Sequence, residues 1–154
     1  MKNIKRYYGK NCSNFIPITP NKYIGRYPII CRSQWERSFC VWIDKNPSVV
    51  EWSSESIKIG YYDPITKKRR TYYPDYYVVI KDKNNIIVEY VIEVKPYKDT
   101  IPPTDKNQRK SQKTRLYESK AWATNRAKWR SAESYCNKMG FIWTILTEKE
   151  LFGK

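Results

Sequence analysis

The sequence predicts a single α/β domain of the α+β kind, a mixed sheet with an antiparallel meander flanked by helices. Three observations predict it. Two β-rich runs, Tyr76–Ile80 and Ile86–Val94, flank the polar stretch Lys81–Asn85, which reads as a hairpin loop. A helical apolar stripe precedes that hairpin, and a long basic segment with its own inward stripe follows it. A last apolar run, Phe141–Leu146, supplies a closing strand. The expected order is helix, three strands, helix, strand. The helix-to-strand domain spans 33–154, and residues 1–32 form a basic, proline-containing N-terminal arm.

Within the arm, Pro17, Pro20 and Pro28 argue against a long helix, so an irregular strap over the domain is expected. Lys2, Lys5, Arg6, Lys10 and Lys22 would equally suit an arm that touches phosphates. Ser33 opens the first helix with Glu36 three residues later, a capping-box spacing. Trp35, Phe39, Trp42 and Ile43 form its buried stripe, and Asn46-Pro47 ends it. Val49–Trp52 and Ser56–Tyr62 read as one strand, broken or bent at Ser53-Ser54. Asp63-Pro64 and the run Lys67, Lys68, Arg69, Arg70 form the next turn, and Thr71 leads into a strand over Tyr73–Ile80.

Pro96, Pro102 and Pro103 mark a non-helical link after the hairpin. Beyond it the chain is strongly basic, with Lys106, Arg109, Lys110, Lys113, Arg126 and Lys128 interleaved with Tyr117, Trp122 and Trp129. One helix is expected here, or two that break near Thr124-Asn125, where either residue would cap the second. Ala132, Tyr135, Cys136 and Met139 form its inward stripe, and Gly140 its C-cap. Lys128 lies one turn before Ala132, where a lysine snorkels to solvent from the stripe's edge. A short helical turn closes the tail after Thr147.

Composition excludes several chemistries. The 154 residues carry 30 Lys and Arg against 15 Asp and Glu, formally +15, an excess that suits a polyanionic partner such as DNA. No stretch approaches the roughly 18 apolar residues of a membrane span, and no signal-peptide core is present, so no membrane partner is expected. Cys12, Cys31, Cys40 and Cys136 lack metal-site spacing and are expected as free thiols of a cytoplasm. The chain has no histidine. Serine–histidine and cysteine–histidine machinery is therefore impossible, leaving carboxylates, lysine, arginine, tyrosine and metal.

The Tyr76–Val94 hairpin is where such chemistry concentrates. Folding it about Asn84 sets Asp75 opposite Glu93, on one face and with Cβ atoms about 4.5–5.5 Å apart. Alternation puts Lys95 on that face too, and Tyr76, Val78, Ile80, Ile92 and Val94 on the other. Facing carboxylates repel unless a cation lies between them, and hard oxygen donors favour Mg²⁺ or Mn²⁺. Asp75 and Glu93 are the expected ligands, with the Val94 carbonyl as a third, and Lys95 is placed to assist a nucleophilic water. Glu36 has two readings: partner in the helix cap, or a third carboxylate turned toward the hairpin. The Lys67–Arg70 tip and the cations of the 106–128 segment are the expected phosphate contacts. An ordinary surface Glu-x-Lys pair would explain the strand end without any chemistry.

Pro74-Asp75 followed by Glu93-Val94-Lys95, in this order of elements, resembles the restriction-endonuclease-like nucleases with the PD-(D/E)xK signature and an αβββαβ core. More narrowly, Arg32-Ser33-x-Trp35-Glu36-x-x-Phe39, then Asp44-x-Asn46-Pro47 and Glu51-Trp52, is similar to the Tn7-type transposon-end endonuclease subunits. It is also similar to the head-completion nucleases of T4-like bacteriophages. The resemblance runs from about Ile16 to Leu151. It implies a catalytic set of Glu36, Asp75, Glu93 and Lys95 with Mg²⁺, and so moves Glu36 from cap toward site.

The resemblance further implies a Mg²⁺-dependent endodeoxyribonuclease that acts on packaged or protruding DNA while heads are completed for tail joining. Its setting would be the host cytoplasm or the virion, with head, portal or neck proteins as partners. The rival expectations are a DNA-binding head or neck component without chemistry, and a transposition or host-DNA nuclease. Tn7-type subunits carry a further C-terminal domain that has no counterpart here, so that domain's partner contacts are not expected. One active site cuts one strand per visit, so double-strand cleavage would need a dimer or two encounters.

Overall fold

The computed structural model describes residues 13–104 and 110–153. The chain runs β1 (Ser13–Phe15), β2 (Ile29–Cys31), α1 (Gln34–Lys45), β3 (Val49–Ser54), β4 (Ile59–Asp63) and β5 (Lys68–Tyr72). It continues through β6 (Tyr76–Lys81), β7 (Ile87–Val94), α2 (Gln112–Met139), β8 (Ile142–Leu146) and α3 (Glu148–Phe152). The central sheet has the order β3-β6-β7-β8. Its first three strands are antiparallel, and β8 lies parallel to β7. Parallel neighbours need a long crossover, which α2 provides.

Alternation along β6 and β7 divides the core. Tyr76, Val78, Ile92 and Val94 pack with Trp52 against Phe39, Cys40 and Ile43 of α1. Ala132 of α2 joins a second cluster with Ile59, Tyr61 and Tyr72. The β6–β7 register pairs Tyr76 with Ile92. Carried one residue past the strand, it sets Asp75 across from Glu93, as the hairpin symmetry about Asn84 predicts.

Ser56–Tyr62 is not the far half of a bent strand. Glu55 takes a left-handed conformation (φ 48°) and turns the chain out of the sheet, its N–H bonded to the Asp75 carbonyl at 3.0 Å. The chain then forms a separate two-stranded ribbon, β4–β5. Ile59 and Tyr61 are buried on alternate positions of this ribbon, against α2 instead of the sheet. Pro74, which has no N–H to donate, separates β5 from β6, so β6 begins at Tyr76 and not at Tyr73.

α2 is one helix of 28 residues, capped by Ser111 and ended by left-handed Gly140. The break considered at Thr124-Asn125 does not occur. The Thr124 hydroxyl donates to Asp63 Oδ1 at 3.2 Å, a tertiary contact in place of a cap. Trp42 (51% exposed) and Met139 (52% exposed) lie outside the stripes expected to bury them. On α1 the buried positions are Phe39, Cys40, Ile43 and Asp44.

Residues 13–31 are more regular than an irregular strap. β1 and β2 pair antiparallel, and Phe15, Tyr23, Ile29 and Cys31 enter the core around Trp52. Buried Asp44 fixes the intervening chain by accepting from the Ile18 and Thr19 N–H groups at 2.7 and 3.2 Å. Lys22 gives its ammonium to the Asn46 carbonyl (2.7 Å) at the α1 C-terminus, where the helix dipole favours a cation. Lys2, Lys5, Arg6, Lys10 and Cys12 lie outside the described residues. Cys31, Cys40 and Cys136 are free thiols. Among the described residues, no helix is long and apolar enough to cross a membrane.

Candidate active site

Asp75, Glu93 and Lys95 converge where β6 begins and β7 ends. The N–H of Val94 donates to Asp75 Oδ2 at 2.8 Å, pinning that carboxylate across the strand gap. Glu93 is only 4% exposed, and both of its oxygens are engaged. Lys95 Nζ lies 3.1 Å from Oε1, and the Tyr72 hydroxyl donates to Oε2 at 2.6 Å. Lys95 keeps a third of its side chain in solvent, so its ammonium sits at the mouth of the site.

The electrostatics follow from this crowding. Burial, and then the charge of Glu93, push the Asp75 carboxyl well above the ordinary aspartate range. Burial works against the charged amine of Lys95, but the Glu93 and Asp75 carboxylates outweigh it and hold the amine above the ordinary lysine value. Burial, reinforced by Glu93, keeps the Tyr72 phenol protonated and hence a donor. Two carboxylates thus face each other in a poorly hydrated site, with Lys95 the cation in contact. That donor set fits a hard divalent ion, which commonly takes one or two protein carboxylates and completes its shell with water and phosphate. Among the described residues no three acidic or thiol side chains cluster tightly enough to form an all-protein cage.

Glu36 sits apart from this trio. Ser33 Oγ accepts from the Glu36 N–H at 3.1 Å, and the Glu36 carboxylate accepts from the Arg32 N–H at 2.8 Å and the Ser33 hydroxyl at 3.0 Å. This differs from the expected box in one respect: the backbone donor is Arg32, one residue before the cap. Its charge still reaches Asp75 and adds to the upward shift there. Val94 presents its N–H toward Asp75, and in a strand the carbonyl of the same residue points to the same edge.

Tyr72 is the participant that sequence reasoning missed. It lies at the end of β5, a strand outside the central sheet, and reaches Glu93 because the β4–β5 ribbon folds back onto α2. The only local signal is its place three residues before Asp75. Lys128 belongs to the same layer: its Nζ lies 5.6 Å from the Tyr72 ring centre and 5.8 Å from that of Tyr61.

The remaining basic residues divide. Lys67, Lys68 and Arg69 are exposed at the β4–β5 tip, while Arg70 is tied to Asp63 at 3.3 Å. Lys110 pairs with Glu118 at 2.7 Å, Lys113 is exposed, and Arg126 lies over the Trp122 ring at 5.7 Å. Lys106 and Arg109 lie outside the described residues.

The family model for the N-terminal domain of TnsA-like endonucleases matches residues 46–148. The chain belongs to the TnsA-like endonuclease family. It is also 36% identical over 148 residues to the head completion nuclease of Enterobacteria phage T4, covering 94% of this chain and 93% of that protein. The family is restriction-endonuclease-like, and the mixed sheet with its crossover helix and parallel last strand conforms to that fold. The family match contains Asp75, Glu93 and Lys95 and starts beyond Glu36.

Proposed function

We propose that this chain is a metal-dependent DNA endonuclease, with Mg²⁺ or Mn²⁺, that trims or cleaves DNA while phage heads are completed after packaging. The observation that carries this reading is the opposed pair of half-buried Asp75 and buried Glu93, with the Lys95 ammonium 3.1 Å from Glu93. Membership of an endonuclease family and the likeness to a head completion nuclease support it. Its setting would be the host cytoplasm or a maturing virion, beside head, portal or neck proteins.

Asp75, Glu93 and the Val94 carbonyl would hold the ion, with Glu36 as a further candidate if its carboxylate leaves the cap. When bound, the ion supplies charge for a phosphoryl oxygen and a water acidic enough to act near neutral pH. Lys95 would orient that water and balance the negative charge that develops on the phosphate. Tyr72 would hold Glu93 in a fixed rotamer. The exposed Lys67–Arg69 tip, with Lys113 and Arg126, would grip the backbone on either side.

Incubated with supercoiled plasmid, the protein should nick it with Mg²⁺ and leave it intact with EDTA. Intact plasmid under both Mg²⁺ and Mn²⁺ would count against the enzyme. Removing the hydroxyl in Tyr72→Phe leaves Glu93 one donor short. Apparent Mn²⁺ affinity, read by titration calorimetry without DNA, should fall about 10–100-fold, the usual cost of losing a partner behind a metal ligand. Unchanged affinity would remove Tyr72 from the site.

A further inference from the structure

We infer that the cleft between residues 98–104 and the N-terminal half of α2 binds an unpaired DNA strand, so that the enzyme acts on tailed or frayed ends. This rests on the DNA endonuclease reading and specifies its substrate. The topology sets the place. Because β8 runs parallel to β7, α2 returns in the opposite direction, and its N-terminal half lies at the sheet end where Glu93 and Lys95 sit. A helix of 28 residues is about 42 Å long. β7, with 8 residues, spans about 26 Å. From Thr124 onward α2 is seated on Asp63, Ile59, Tyr61 and Tyr72. The turns before it project beyond the sheet and form one wall of the cleft.

The opposite wall starts three residues after Lys95. Between the walls is a cavity of about 710 Å³ lined by Lys98, Ile101, Pro102, Tyr117, Trp122 and Asn125, among others. That is within the roughly 300–1,000 Å³ range of small-molecule sites. Tyr117 is 73% exposed, which core packing does not explain. Trp122 offers a second ring, braced edge-on by Trp129 with centroids 6.0 Å apart.

The charges sort by depth. In the cleft, Glu118 is neutralised by Lys110, and Lys98 neighbours Asp99. The lining is therefore balanced and suits bases better than phosphates. Lys113, one turn before Tyr117, and Arg126, one turn after Trp122, place cations along the rim for the backbone. Aromatic rings and an amide inside, with cations outside, are the pattern of single-strand binding, where each base offers a face to stack. A duplex backbone would call only for the cations.

The test compares a blunt duplex with the same duplex bearing a short single-stranded tail, bound in EDTA so that nothing is cut. Wild type should hold the tailed DNA more tightly, and Tyr117→Ala should weaken that binding about tenfold. Its affinity for the blunt duplex should stay unchanged, and Tyr117→Phe should restore the preference. Equal affinity for both DNAs in wild type, or an equal loss on both in Tyr117→Ala, would overturn the inference. Binding in EDTA is independent of cleavage, so failed plasmid nicking would sink the nuclease reading without deciding this one.

Discussion

Asp75→Asn should lower DNA cleavage on the order of a thousandfold, the scale of losing a group that stabilises charge in the transition state. The fold should survive the change. Asparagine keeps an oxygen for the Val94 N–H, the bond that Asp75 Oδ2 makes at 2.8 Å. It removes one of two carboxylates that repel in a buried site, so the melting temperature in EDTA should match or exceed that of wild type. Plasmid nicking and a thermal melt on the same preparation measure both effects. A variant that cuts within tenfold of wild type would show that the acids at the β6–β7 strand ends take no part in the chemistry.

Trp52→Ala should cost about 3–5 kcal/mol, as expected for emptying a large buried aromatic site. Trp52 is fully buried on β3 and packs against Tyr23 at 4.7 Å and Phe15 at 6.0 Å, ring centre to ring centre. Those partners come from residues ahead of α1, so the cavity would also loosen the hold on that segment. Domains of this size are stable by only about 5–15 kcal/mol, so the loss should be plain in a urea transition. Trp42→Ala, on the exposed side of α1, serves as the comparison and should change little. A loss below about 1 kcal/mol for Trp52→Ala would mean that the cavity collapses and that the 13–31 segment is not held through this ring.

Much of the central sheet was legible because its register is a matter of symmetry and alternation. The loop at Lys81–Asn85 fixes the centre of the hairpin, and a two-residue period then places Asp75 opposite Glu93 and Lys95 beside it. Helix ends were equally local. Ser33, Asn46 and Gly140 act through their own backbone conformations and nearby hydrogen bonds, so they are readable from a few residues. The β4–β5 ribbon was not. Nothing near Ser53-Ser54 shows that Glu55 turns left-handed, and alternation in Ile59–Tyr61 looks the same whether the partner is a sheet or a helix. Thr124 similarly looks like a cap until Asp63, sixty-one positions earlier, takes its hydroxyl.

By itself the sequence determined the opposed acid pair with its lysine, and a charge excess suited to DNA. It also ruled out histidine chemistry. These follow from residue identity, strand period and the position of one turn, all set within a short stretch of chain. Only the tertiary structure decided that Tyr72 grips Glu93 and that α2 overhangs the end of the sheet. Each of those depends on where a distant element docks. Docking is chosen by burial of whole surfaces, which local patterns of residues do not encode.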